Sequence, residues 1–214
     1  MRCTSESASY PLVSSVIAYL KQPTPQQVEA YVKIFDDPAS QTGKTYIALT
    51  KLFTTYPDNL EFGDIYLKVA ALNSMYGTNI YAIFRVAQLI YDLQIDPGLN
   101  DHDPDLVEAI ARVQTSNGKI RRNYSFATKY CSWHRPKEFP IYDSYVDGLL
   151  WLYAQHNDFF GGERFHRAGL WNNYRIFTRV FLAFRDYFSL QETTIRQIDK
   201  FLWLYGQELW NSPQ

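Results

Sequence analysis

Apolar residues return at three- and four-residue intervals along nearly the whole chain, and no series of alternating apolar and polar positions with hairpin turns competes with them. The pattern predicts an all-α protein with helices near Leu12–Lys21, Pro25–Phe35, Lys44–Thr55, Phe62–Met75, Ile80–Leu93, Pro104–Val113, Ser125–His134, Ser144–His156, Leu170–Phe188 and Thr193–Trp210. Thr24 before Pro25, and Asp103 before Pro104, put an oxygen acceptor at the N-cap and a proline where its missing N–H costs nothing. The segments DPASQTG, IDPGLNDHDPD and FFGGERFHRAG gather the Pro, Gly, Asn and Asp of connecting loops. In the last helix, Ile195, Ile198, Phe201, Leu202 and Leu209 fall on or near one face, which would pack onto the body of the domain.

At 214 residues the chain is long enough for one sizeable core, so it is read as a single helical domain over 1–214, with room for two lobes and a cleft. Aromatic residues make up 17% of it, enough that some can line a pocket for a flat ligand while most fill the core. The formal charge of −1 excludes a protein that coats nucleic acid through an overall basic field. Charge is nevertheless segregated. Every charged residue between Asp92 and Glu108 is acidic, whereas Lys119, Arg121, Arg122, Lys129, Arg135 and Lys137 form an unbroken basic run, either a solvated face or a contact surface for nucleic acid.

Cys3 and Cys131 offer neither a disulfide framework nor metal-ligand spacing, which points to a reduced, cytoplasmic setting. The N-terminal stretch is too broken by Ser, Glu and Pro for a signal peptide, and nothing approaches the roughly 18 apolar residues of a membrane span. Without GxxxxGK[ST], GxGxxG, HExxH, CxxC or GxSxG there is no motif for a cofactor, a metal or a serine nucleophile, and His102, His134, His156 and His166 are scattered. Neither a cofactor nor a metal is expected.

Two stretches carry chemistry. In LNSMYGTNIYAIFRVAQLI, Leu72 to Ile90, one helix ends at Tyr76-Gly77 and another begins at once, a polar elbow whose side chains can face a cleft or simply turn a packing corner. In SFATKYCSWHRPKEFPIYDSYV, Ser125 to Val146, Lys129 sits on a predicted helix and Asp143 opens the next one. Taken separately they are a solvated lysine and an N-cap.

Taken together, the two stretches resemble the helix-hairpin-helix DNA glycosylase superfamily, most of all its oxoguanine glycosylase branch, over residues 72–156. In that superfamily a helix carrying a catalytic lysine is followed by a loop with a short apolar run, often with proline, and then the catalytic aspartate at the start of the next helix. Phe139-Pro140-Ile141-Tyr142-Asp143 matches that ending. The resemblance implies Lys129 as nucleophile and Asp143 as the carboxylate that stabilises positive charge on the sugar. It also implies a flipped base held in an aromatic pocket, to which Ser125, Trp133 and His134 are assigned, a place in the core or an interface being the alternative for Trp133 and His134. The superfamily's glycine-rich turn is represented here by GKIRRNYS, so Lys119, Arg121 and Arg122, with Arg135, are the expected contacts to nucleic acid. The family's usual lysine-to-aspartate spacing lands one helical turn earlier, on Ser125: with that length kept, Ser125 holds the nucleophile position and Lys129, at i+4 on the same face, has a pocket role, whereas a loop one turn shorter makes Lys129 the nucleophile.

The implied function is recognition or excision of a modified, oxoguanine-type base, in DNA repair or in bacterial defence against phage. The rival expectations are a non-catalytic module that binds nucleic acid, a nucleotide or a protein partner, and a helical scaffold in which Lys129 and Asp143 stand apart.

Overall fold

The computed structural model describes residues 20–115 and 117–211, so the helix expected near Leu12–Lys21 and Cys3 fall largely or wholly outside the described residues. Eleven helices are present among them: α1 (Pro25–Phe35), α2 (Gln41–Thr55), α3 (Phe62–Tyr76), α4 (Ile83–Leu93), α5 (Asp96–Asn100), α6 (Asp105–Ala111), α7 (Tyr124–His134), α8 (Ser144–His156), α9 (Arg167–Asn172), α10 (Tyr174–Tyr187) and α11 (Ile195–Asn211). The fold is all-α apart from two short strands, β1 (Arg112–Gln114) and β2 (Ile120–Arg122).

The helix ends follow from local chemistry. Thr24 Oγ1 accepts from the Gln27 amide to start α1, and Ser40 Oγ accepts from the Gly43 amide to start α2, three residues ahead of the predicted Lys44. Gly77 closes α3 in the left-handed region at φ 57°, where an L side chain would be strained. Asn73 then fixes the elbow: its Oδ1 accepts from the Ile80 amide and the Thr78 hydroxyl, and its Nδ2 donates to the Ile80 carbonyl. That clasp keeps Ile80 out of helix, so α4 starts at Ile83 rather than at the predicted Ile80. The helix predicted over Leu170–Phe188 is two helices, because Asn173 is extended and its side chain caps α10 through the Ile176 amide.

The loop predicted over IDPGLNDHDPD contains a short helix, α5, and the helix predicted to reach Val113 stops at Ala111. Beyond it β1 and β2 pair antiparallel, Arg112 with Arg122, Val113 with Arg121 and Gln114 with Ile120. Gly118 turns the hairpin at φ 77°. Strands of three residues are too short for a period of two to register in the sequence. The hairpin joins α6 to α7, which pack on each other.

Helix α7 lies at the centre, with every residue but Ser125 buried and with α2, α3 and α6 packed on it. Helix α11 packs on α1 and α8, and two glycines allow the close approach. A Cβ on Gly206 would meet Tyr145 Cβ at 2.7 Å, and one on Gly148 would meet the Trp210 ring at 2.8 Å. The core along this seam is aromatic, with Tyr31, Phe201 and Tyr205 in edge and stacked contacts. Ile195, Ile198, Phe201 and Leu202 are buried as predicted, and Leu209 is half-buried.

Candidate functional site

Where α1, α2, α3, α7, α8 and α11 converge, they enclose a cavity of about 400 Å³, within the size range of small-molecule sites. Phe35, Tyr46, Tyr76 and Trp203 give it aromatic walls, and Lys129, Asp143, Arg196, Asp199 and Lys200 give it charge.

Lys129 and Asp143 come together here. The Lys129 Nζ lies 3.3 Å from Asp143 Oδ2 and donates to Ser125 Oγ at 2.6 Å, with the Tyr76 ring 5.4 Å away. Ser125 is the residue one turn back on the same face, and its hydroxyl donates in turn to the Tyr142 carbonyl at 3.1 Å. Ser125 therefore anchors the lysine. Asp143 is also a helix cap, its Oδ1 accepting from the Tyr145 amide at 3.1 Å. Capping and pairing use different oxygens of one carboxylate, so the cap leaves one oxygen for Lys129.

Of the three residues assigned to the pocket, Ser125 reaches it only through Lys129, and Trp133 and His134 do not line it. Trp133 stands behind it: its Nε1 donates to the Tyr76 hydroxyl, its ring packs against Tyr46, and the Arg196 guanidinium sits 4.7 Å from its centre. His134 belongs to the core, with Nδ1 3.2 Å from the Pro57 carbonyl and its ring against Phe53 and Tyr130. Burial, reinforced by Lys68 nearby, pulls its pKa down to about 3.

The basic run is only partly available to a ligand. Arg122 is committed, with one guanidinium nitrogen on both oxygens of Glu108, the other on the Trp171 carbonyl, and its plane over the Tyr124 ring. A short bond to Asn100 Oδ1 and one to the His134 carbonyl hold Arg135. Arg121 donates to the Asn79 carbonyl but remains exposed beside Tyr81, and Lys119 is exposed at the hairpin.

Sequence reasoning missed the contribution of α11. Arg196, Asp199, Lys200, Trp203 and Gln207 recur at helical spacing and all line the cavity. The signal was present as a second stripe beside the apolar one. Lys200 pairs with Asp36 at 2.6 Å and lies 3.7 Å from the centre of the Tyr46 ring. Both oxygens of Asp199 share the Ile141 amide at 3.2 Å, and burial pushes its carboxyl up to about 8. The charge of Asp143 adds to that rise, while Arg196, the Ile141 amide and Lys129 oppose it. Among the described residues no group of three or more His, Cys, Asp or Glu is placed to hold a metal ion, and no helix is long and apolar enough to cross a membrane.

The sequence matches the family HI_0787_N, described as an N-terminal domain, over residues 27–138. An uncharacterized protein of Haemophilus influenzae is 43% identical over 138 residues, 64% of this chain and 63% of that protein. No solved structure matches. The family segment runs from α1 to just beyond α7, so it includes Lys129 and stops short of Asp143 and α11.

Proposed function

From the premise that this chain belongs to the HI_0787_N family, we propose that it is a DNA glycosylase-like protein that recognises or excises a modified, oxoguanine-type base. The observation that carries the reading is the Lys129–Asp143 pair, 3.3 Å apart, on the wall of an aromatic cavity of about 400 Å³. Cleavage of an N-glycosidic bond builds positive charge on the sugar, which a fixed carboxylate stabilises. A neutral amine beside it can attack the anomeric carbon, displace the base and hold the sugar as a Schiff base. Phe35, Tyr46, Tyr76 and Trp203 supply ring surface for a base taken out of the stack, and Arg121 and Lys119 supply exposed cations for the backbone. This reading implies an intracellular protein of DNA repair or of defence against phage.

Incubation with an oxoguanine-containing duplex and borohydride tests it. A covalent adduct should form and should be absent from Lys129→Ala. No adduct, or one undiminished in the variant, rejects the nucleophile. One observation favours a second reading: Ser125 and Asp143 both engage the Lys129 Nζ, an arrangement that fixes the side chain for binding rather than freeing it for attack. Tight binding of the same duplex without an adduct would select that non-catalytic reading.

A further inference from the structure

We propose that Asp199, backed by Arg196, is the general acid that protonates the departing base, an inference that rests on the glycosylase reading. The geometry points to it in three steps. First, α11 turns Arg196 and Asp199 onto the same cavity that Lys129 and Asp143 line. Second, the Asp199 carboxyl is tied to the segment that presents Asp143: its two oxygens share one donor, the amide of Ile141, two residues before Asp143. A protonated carboxyl keeps one O–H donor besides its acceptor capacity, so accepting from this amide leaves the proton to give.

Third, Arg196 is incomplete. It is 8% exposed, its Nη2 donates to the Ser132 carbonyl at 2.8 Å, and its Nε has no hydrogen-bond partner among the described residues. A buried guanidinium N–H without an acceptor is costly, and although the Nε itself is closed off, the residue that carries it lines the cavity, so a rotation of the side chain towards a bound acceptor atom would relieve it. A heterocycle whose ring gains negative charge as it leaves is such an acceptor, and it strengthens the bond as the reaction proceeds. The protonation state fits, since a carboxyl pushed up to about 8 carries its proton at neutral pH. The groups that face it are Arg196 on its own helix, Lys129 on α7, Asp143 before α8, Tyr76 on α3 and Tyr174 on α10.

The step balances. The bond from the anomeric carbon to the base nitrogen breaks and its electron pair stays with the base. Lys129, once it has released one ammonium proton to solvent, uses the freed lone pair to form the new bond to carbon, which leaves a positive nitrogen beside Asp143. The Asp199 proton passes to the base, which departs neutral, and the new Asp199 carboxylate is held beside Arg196.

Three single-turnover measurements on the full chain and on Asp199→Asn test this. The amide still offers an oxygen to Ile141 but has no acidic proton. On an oxoguanine duplex the variant should excise the base about 100-fold more slowly or worse, the usual contribution of a general acid. On a duplex with a preformed abasic site, where no base leaves, it should form the borohydride adduct as the unaltered protein does. Excision by the unaltered protein should fall as pH rises through about 8, whereas trapping of the abasic site should show no such limb. Equal excision by both proteins, a flat profile through that range, or loss of trapping along with excision would overturn the role of Asp199 and leave the glycosylase reading standing. Absence of excision and of trapping by the unaltered protein would overturn that reading instead.

Discussion

The Nζ of Lys129 lies 3.3 Å from one oxygen of Asp143 while the other oxygen of that carboxylate caps α8 through the Tyr145 amide at 3.1 Å. The lysine side chain is only 4% exposed, so removing its partner strands a buried charge. Asp143→Ala removes both functions and should cost about 3–5 kcal/mol in urea denaturation. Asp143→Asn keeps an effective cap and removes only the charge, so it should cost clearly less than the alanine variant. Equal losses would mean that the cap contributes nothing here.

Arg122 and Lys119 belong to one basic run in the sequence but have different surroundings in the fold. Arg122→Ala abandons Glu108 in a partly buried bridge and should lower stability by about 2 kcal/mol, whatever it does to binding. Lys119→Ala should leave the denaturation midpoint within about 0.5 kcal/mol of the unaltered protein, because it is exposed at the hairpin. If the hairpin contacts nucleic acid, Lys119→Ala and Arg121→Ala should weaken binding more at low salt than at high salt. An Arg122→Ala protein as stable as the original would remove the structural role assigned to that residue.

The approach of α11 to α8 depends on Gly206. An alanine there would place its Cβ 2.7 Å from Tyr145 Cβ and 3.3 Å from the Tyr145 carbonyl oxygen, two residues past Asp143. Neither contact is the far end of a flexible chain, so the helices must part. Gly206→Ala should cost about 1–3 kcal/mol and should also reduce any borohydride adduct, since the shift reaches Tyr145, whose amide Asp143 caps. Calorimetry and trapping on one preparation check both effects, and an unchanged melting temperature would show that the seam yields without strain.

Much of the helical order was legible because most helices here are one-sided and their periodicity records it. Helix α7 was legible in extent but not in environment: Lys129, Thr128 and Ser132 are polar, yet all are buried, because neighbouring helices surround α7, and Lys129 and Thr128 find partners in Ser125 and in the Tyr142–Asp143 segment. Asp143 stood out because an acceptor before an apolar-periodic helix has a physical reason to be there. Asp199 did not. Its stripe of Arg, Asp, Lys and Gln has the composition of a solvated face, and only tertiary packing turns it inward onto a cavity. The assignment of His134 to the pocket failed for a related reason. It shares a helix with Lys129, but five residues further on it points to Pro57, Phe53 and Tyr130.

The unusual carboxyl of Asp199 has a consequence for stability that is independent of catalysis. Its folded pKa of about 8 stands above the ordinary value of 3.8, so between those limits the folded protein binds more protons at this site than the unfolded chain does. Stability from this group is therefore fully present below 3.8 and is lost as pH rises towards 8. His134 works in the opposite sense. Its pKa of about 3 lies below the ordinary 6.5, so its contribution is present above 6.5 and lost on acidification. Measuring the difference between Asp199→Asn and the unaltered protein cancels His134 and isolates Asp199. An amide cannot ionise, so the variant should gain on the unaltered protein between pH 5 and pH 8, by a few kcal/mol on the scale of about 1.4 kcal/mol for each unit of pKa difference. Urea midpoints at matched ionic strength report it. A difference that stays constant across that range would mean that Asp199 is already ionised in the fold, and the proton proposed for the departing base would not be there to give.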